Sequence, residues 1–153
     1  MIDEIDAQIL TIIQKNARVS NAKIARKIGM APSAILERIR KLEEKGVIEN
    51  YEVRLNAKAV NLGLVAFIFI RTSEAYGKMV TALRLAEMPE VQEVHHIAGE
   101  DCYLIKVRTK DTESLGRFLR EQVTCAPEVL STRTTIVLET VKETLKLPLV
   151  PQK

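Results

Sequence analysis

The chemistry-bearing side chains of this sequence concentrate between Lys15 and Lys45, where nine basic residues meet three acidic ones for a net of +6, against +3 for all 153 residues. Side chains of this kind neutralise phosphate, and at chosen positions they donate to the edges of bases. On a helical wheel at roughly 100° per residue, Ile35, Ile39 and Leu42 fall within about one sixth of the circle. The opposite face holds Ser33, Glu37, Arg40 and Glu44, with Lys41, Ala34 and Arg38 stepping round one flank. A helix that reads DNA meets base edges with its N-terminal residues and phosphates with its flanks. Ser33, Ala34, Glu37 and Arg38 are therefore the candidate base-proximal residues. Arg40 and Lys41 are candidate phosphate contacts, and Lys23, on the preceding helix, is a further candidate DNA contact.

Other chemistries are poorly supplied. Cys102 and Cys125 lack metal-ligand spacing, and nothing at the N-terminus resembles an export signal, which reads as two reduced thiols in a cytoplasmic protein. His95 and His96 are neighbours on a predicted strand, so they face opposite sides and do not readily chelate one metal. No pattern sets a His or acid beside Cys102 to make it a nucleophile. The longest apolar run, Leu64 to Ile70, has seven residues, far short of the roughly 20 that cross a bilayer. The expectation is a protein without catalytic residues, metal or cofactor, and without a membrane partner.

The elements that position the basic face follow from apolar spacing. Ile5, Ile9, Ile12 and Ile13 predict a first helix over about 3–16, with Asp3, Glu4 and Asp6 suiting its positive end. Ser20 is a good N-cap for a second helix whose apolar face is Ile24, Ala25 and Ile28, and Gly29 ends it. Pro32 opens the third helix, but Ala31 before it is a poor cap, a deficit of about 0.5 to 2 kcal/mol that Ser33 offsets in part. After Gly46, the segment Val47, Ile48, Tyr51, Val53, Leu55 reads as extended, the place of a wing. Residues 1–54 form one domain, 55–63 a connector, and 64–153 a second domain.

From Leu64 the period becomes that of strands, in the order strand, helix, strand, strand, helix, strand, which is ferredoxin-like. The helices are expected over about 78–88 and from the cap at Asp111, the latter presenting Leu115, Phe118, Leu119 and Val123, and the last strand within 129–141. The fold class is α+β: an N-terminal winged helix-turn-helix plus a C-terminal ferredoxin-like βαββαβ domain. The first strand is apolar on both faces, Val65, Phe67 and Phe69 one way and Ala66, Ile68 and Ile70 the other. Two helices cover one face only, so a second copy is expected on the other, giving a two-fold dimer that can present paired helices to double-stranded DNA.

These motifs together resemble the Lrp/AsnC family of leucine-responsive, or feast/famine, transcription regulators, over almost the whole chain. IDEIDAQIL, NARVSNAKIARKIGM and ILERIRKLEEKGVIENYEVRLN are similar to the family's DNA-binding half, and AGEDCYLIKVR with STRTTIVLE to its effector-binding half. The resemblance implies homodimers joined through the ferredoxin-like domains, often assembled to octamers, with amino-acid-like effectors in clefts between dimers. It also implies that the loop Gly99, Glu100, Asp101, Cys102, Tyr103 lines that cleft. A glycine turn can offer backbone N–H groups to a carboxylate while Glu100 or Asp101 takes an ammonium group. Thr132 and Thr134, on one face of the last strand, are further candidate lining residues.

The sequence departs from the resemblance in two places: Cys102 stands where many members carry an acid, and Ala31 where many carry a capping serine. Two alternatives stay open. Sirohaem decarboxylases resemble the same architecture, and a functional His96 fits them, although the basic helix and the intact glycine loop argue against that reading. The other is an effector sensor without DNA binding, against which the +6 segment stands.

Overall fold

The computed structural model describes residues 2–75 and 77–149. They divide into two compact units, Met1–Arg54 with Lys142–Lys153, and Leu55–Val141.

The first unit holds three helices, α1 (Glu4–Lys15), α2 (Asn21–Ile28) and α3 (Pro32–Glu44). Asp3 caps α1 through a capping box with Asp6, Ser20 accepts from the Lys23 N–H at the start of α2, and Gly29 ends α2 with a left-handed φ of 81°. The core is Ile9, Ile24, Ala25, Ile35 and Ile39, with Ile5, Ile12, Ile13, Val19, Ile28, Met30 and Ile48 packed around it. No side chain caps α3, so Ser33 does not compensate for Ala31 as expected, and the Ser33 hydroxyl has no partner among the described residues. Fully burying one isoleucine contributes about 1.5 to 3 kcal/mol, and α3 buries Ile35, Ile39 and Leu42. Packing therefore outweighs the missing cap. Val47 and Ile48 close the end of α3 with their N–H groups on the Leu42 carbonyl, and among the described residues no part of 47–55 forms a β-ladder; Val53 and Leu55 face solvent. A wing in the sense of a paired hairpin is absent there, because no second strand lies beside it.

The tail beyond Val141 belongs with this first unit, which corrects the expected boundary. The Gln14 amide brackets the Leu147 peptide, accepting from its N–H at 2.7 Å and donating to its carbonyl at 3.2 Å. Arg54 donates to the Glu143 carbonyl at 2.7 Å, and Leu149 lines a groove with Ala7, Thr11, Ile12 and Ile28.

The second unit opens with a short 3-10 turn (Ala57–Val60), so the expected connector is part of it. Its strands are β1 (Leu64–Thr72), β2 (Val91–His96), β3 (Tyr103–Thr109) and β4 (Val129–Ile136), all antiparallel in the spatial order β2-β3-β1-β4. The helices are α4 (Val80–Ala86) and α5 (Thr112–Phe118), α5 running on as a π-helical turn over Leu119–Val123. This is the ferredoxin-like arrangement. Ala66, Ile68, Ile70, Tyr103, Ile105 and Val107 share the core with Ala82, Leu85, Leu115, Phe118 and Val123 of the helices. Among the described residues, no helix lies on the other face of the sheet. Phe67 pairs in register with Lys106 and Thr135 there, and Phe69 with Leu104 and Arg133.

Candidate functional site

The expected DNA-facing residues divide by what holds them. Ser33 and Glu37 are exposed and Ala34 half-buried on the outward side of α3. Arg38 is placed differently from the expectation. Its Nη1 lies 2.7 Å from both the Asp3 and the Asp6 carboxylates, tying α3 to the start of α1. The Asp6 N–H first, and then Arg38, hold the Asp3 carboxyl below its ordinary value. Arg38 thus clamps α3 to α1, its guanidinium shared by two carboxylates and not free on the outward face.

An Arg38→Ala chain is expected to lose about 1 to 3 kcal/mol of stability in the first unit at pH 7. The sign of its pH dependence follows from a carboxyl depressed in the folded state. The parent has the full contribution above the unfolded value of about 3.9 and loses it as pH falls through the lower, folded value. The gap between parent and variant should therefore narrow below about pH 4 in urea titrations. A gap independent of pH would refute the clamp.

Arg40 and Lys41 are exposed, as phosphate contacts must be, but both lie against acids of their own helix. Arg40 forks onto Glu37 at 3.0 and 3.1 Å and reaches Glu44 at 2.8 Å, and Lys41 stands 3.5 Å from Glu37. Arg40 first, and then Lys41, lower the Glu37 carboxyl. Among the described residues, the basic groups with no carboxylate partner in this segment include Lys15, Arg18, Lys23, Arg26 and Lys27. Lys23, Arg26 and Lys27 all point outward from α2, opposite buried Ile24 and Ala25. The total charge was legible in the sequence; which cations were spoken for was not. A second feature missed was Leu36, which is 56% exposed and lines a groove of about 390 Å³ with Val19, Ile24, Ile39 and Tyr51. The Tyr51 hydroxyl donates to Glu43 at 2.8 Å, and burial together with that carboxylate pushes the phenol up to about 12.

The loop between β2 and β3 is closed by the Ile97 N–H on the Cys102 carbonyl and fastened to β1 by the Cys102 N–H on the Ile70 carbonyl. Gly99 has φ 143°, a backbone region suited to glycine, and Gly99 and Glu100 are exposed. Asp101 accepts from Arg133 of β4 at 3.1 Å, and the same guanidinium lies 4.0 Å over the Phe69 ring. Arg133, absent from the sequence expectation, is thereby the cation paired with this loop's Asp101; its only sequence signal was its place in STRTTIVLE.

Cys102 and Tyr103 sit otherwise than expected. Cys102 packs on the core at the loop's base, its thiol within 3.5 Å of the Thr72 N–H, and Tyr103 is 2% exposed on the helix-covered face. The Tyr103 hydroxyl donates to Glu74, whose carboxylate also accepts the Thr81 N–H and hydroxyl at 2.6 and 2.8 Å. Burial alone would raise Glu74, but these donors outweigh it and hold the carboxyl low, while burial and Glu74 push Tyr103 up to about 12. Thr132 and Thr134 are half-buried and pair in register with Ile70 and Ile68, so they face the helix side. Arg133 faces the open side. The loop thus brings Gly99, Glu100 and Asp101 together and keeps Cys102, Tyr103 and both threonines off that cluster.

His95 aligns with Leu104 on the open face and His96 with Tyr103 on the other, as strand alternation requires. Among the described residues no cluster of three metal-ligating side chains occurs, both cysteines are free, and no helix is long and apolar enough to cross a membrane.

Comparison with known proteins agrees with this layout. Residues 2–49 match the family model for a winged helix-turn-helix DNA-binding domain, and residues 65–147 that for the Lrp/AsnC ligand binding domain. The chain is 38% identical over 148 residues to the HTH-type transcriptional regulator FL11 of Pyrococcus horikoshii, covering 97% of each. It is 34% identical over 150 residues to the leucine-responsive regulatory protein of Escherichia coli K12, covering 95% of this chain and 90% of that one. Among solved structures, a Neisseria meningitidis transcriptional regulator in complex with L-Met superposes with a TM-score of 0.91 at 29% identity, covering 97% of both chains. Escherichia coli AsnC superposes with a TM-score of 0.90 at 27% identity, covering 97% and 99%. With one model on the three-helix unit, another on more than half the chain, and full-length relatives above 30% identity, this protein belongs to the Lrp/AsnC family of transcriptional regulators.

Proposed function

We propose that this regulator binds a two-fold symmetric DNA site as a homodimer, with α3 in the major groove and α2 across the phosphate backbone, and that an amino-acid-like effector modulates the binding. The observation that carries the DNA half is the set of unpartnered cations Lys23, Arg26 and Lys27 on α2, next to a third helix on whose first turn Ser33 is exposed, with no partner for its hydroxyl among the described residues. In this reading Ser33, Ala34 and Glu37 face bases, Lys23 faces phosphate, Lys41 exchanges Glu37 for a phosphate at the edge of the groove, and Arg40, still forked onto Glu37, exchanges Glu44 for one.

The homodimer reading rests on β1. Phe67 and Phe69 lie half-exposed beside buried Val65 on a sheet face with no helix, and a self-complementary pairing of that face covers both copies at once. Assembly of such dimers to octamers is the further proposal that family membership supports.

The effector reading rests on the Gly99–Glu100–Asp101 turn with Arg133 beside it. Such a cluster offers acids to an ammonium group and a guanidinium to a carboxylate, the two ends of an amino acid. The L-Met complex of the Neisseria relative supports that ligand class. DNA and effector then act on each other reciprocally, each changing the other's affinity by the same factor.

Selection of duplexes from a random pool, repeated at two salt concentrations and with mixed amino acids, tests the proposal. A symmetric motif whose occupancy shifts with amino acids is expected; no enrichment at either salt would overturn the DNA half. Gly99→Arg should abolish the amino-acid response and leave motif binding within about threefold, since its site lies on the second unit. An unchanged response in that variant would move the effector site off this turn.

A further inference from the structure

The outward face of α3 is close to neutral, which is unusual for a helix aimed at a polyanion. Glu37 lies at its centre with 48% of its side chain exposed, and it is covered by cations of its own helix. Arg40 donates to both carboxylate oxygens at 3.0 and 3.1 Å, and Lys41 Nζ stands 3.5 Å away. A carboxylate brought against phosphates is repelled unless its charge stays compensated and its oxygens find donors. The first condition is met before DNA arrives.

The second restricts the base. A carboxylate has about four acceptor positions; the Arg40 fork takes one on each oxygen and Lys41 stands at Oε1, so Oε2 keeps an open position for DNA and Oε1 gains one when Lys41 moves to a phosphate. In the major groove, guanine presents N7 and O6 and thymine O4, all acceptors that repel a carboxylate. Adenine presents its N6 amino group beside an acceptor, N7, on the same edge. Cytosine presents its N4 amino group with no acceptor of its own on that edge.

Resting on the reading that α3 enters the major groove, we propose that Glu37 is a specificity-determining residue. Its carboxylate accepts a hydrogen bond from the N4 amino group of a cytosine while Arg40 stays on it as counter-charge. Lys23, Arg26 and Lys27 then supply the sequence-independent hold, and α3, with its charge already balanced, adds affinity chiefly where the base fits.

The full-length chain and its Glu37→Gln and Glu37→Ala variants, each put through selection from a random duplex pool, test this. The parent should enrich cytosine at one position of each half-site. In a synthetic duplex, cytosine-to-thymine replacement there should weaken its binding by roughly 5- to 150-fold. A glutamine amide both donates and accepts, so Glu37→Gln should move that one position to adenine and leave the other positions unchanged. Glu37→Ala should lose the preference there without gaining another. If both variants enrich the same base as the parent at every position, Glu37 reads no base and the proposal is overturned. A parent that enriches no motif at all would instead sink the major-groove reading, and this one with it.

Discussion

A chain carrying Lys23→Ala, Arg26→Ala and Lys27→Ala should bind its DNA about a hundredfold more weakly per protomer near 0.15 M salt, with unaltered base preference. Three phosphate contacts release roughly 2.7 counterions, so the plot of log affinity against log salt should flatten by about that slope per protomer. A loss of this size requires that these cations be free. None has a carboxylate partner among the described residues, whereas Arg38, Arg40 and Lys41 all do. The three side chains project from the side of α2 opposite buried Ile24 and Ala25, so removing them leaves the core of the first unit intact. Equilibrium binding titrated at four or more salt concentrations measures both quantities. An unchanged slope would mean that the backbone is held elsewhere, Lys15 and Arg18 being the next unpartnered cations.

Phe67→Arg should turn a dimer into a monomer at micromolar concentration, as read by analytical ultracentrifugation. Phe67 lies on the helix-free face, in register with Lys106 and Thr135, one strand position from buried Ala66 and Ile68. An arginine there comes beside Lys106, whose charge Glu93 already takes at 3.2 Å, so it brings an unpaired charge, and in a two-fold interface the insult occurs twice. Burying an uncompensated charge costs about 3 to 5 kcal/mol, more than a hundredfold in dissociation constant. Phe67 is half-exposed in the single chain and the residues of the helix side are untouched, so each monomer should keep its fold and melt within a few degrees of the parent. Dimers persisting in a folded variant would place the interface on another surface.

Much of this molecule was legible before any coordinate. Ile9, Ile24, Ala25, Ile35 and Ile39 recur at spacings that only a helix turns to one side, and they form the core of the first unit. Ala66, Ile68 and Ile70 alternate as a strand requires, and they face the helices. Caps at Ser20 and Asp111 and the helix stop at Gly29 sit where local chemistry favours them, because each needs only residues a few positions away, whereas Asp3, read as part of the first helix's acidic start, is its N-cap.

Tertiary structure decided what depends on partners distant in sequence. Arg38 is held at 2.7 Å by Asp3 and Asp6, 35 and 32 residues earlier, a pairing no local pattern shows. Arg133 joined the Gly99 turn across 32 residues, and the tail reached Gln14 across 133. Strand alternation with Ile105 and Val107 turns Tyr103 inward, but its hydroxyl's partner, Glu74, lies 29 residues away. Apolar periodicity and caps are properties of neighbouring residues, so the sequence by itself determined the elements, the family and the sum of charge. Which charges remain free is a property of folded space, since an ion pair forms wherever the packed helices and strands bring two side chains within reach.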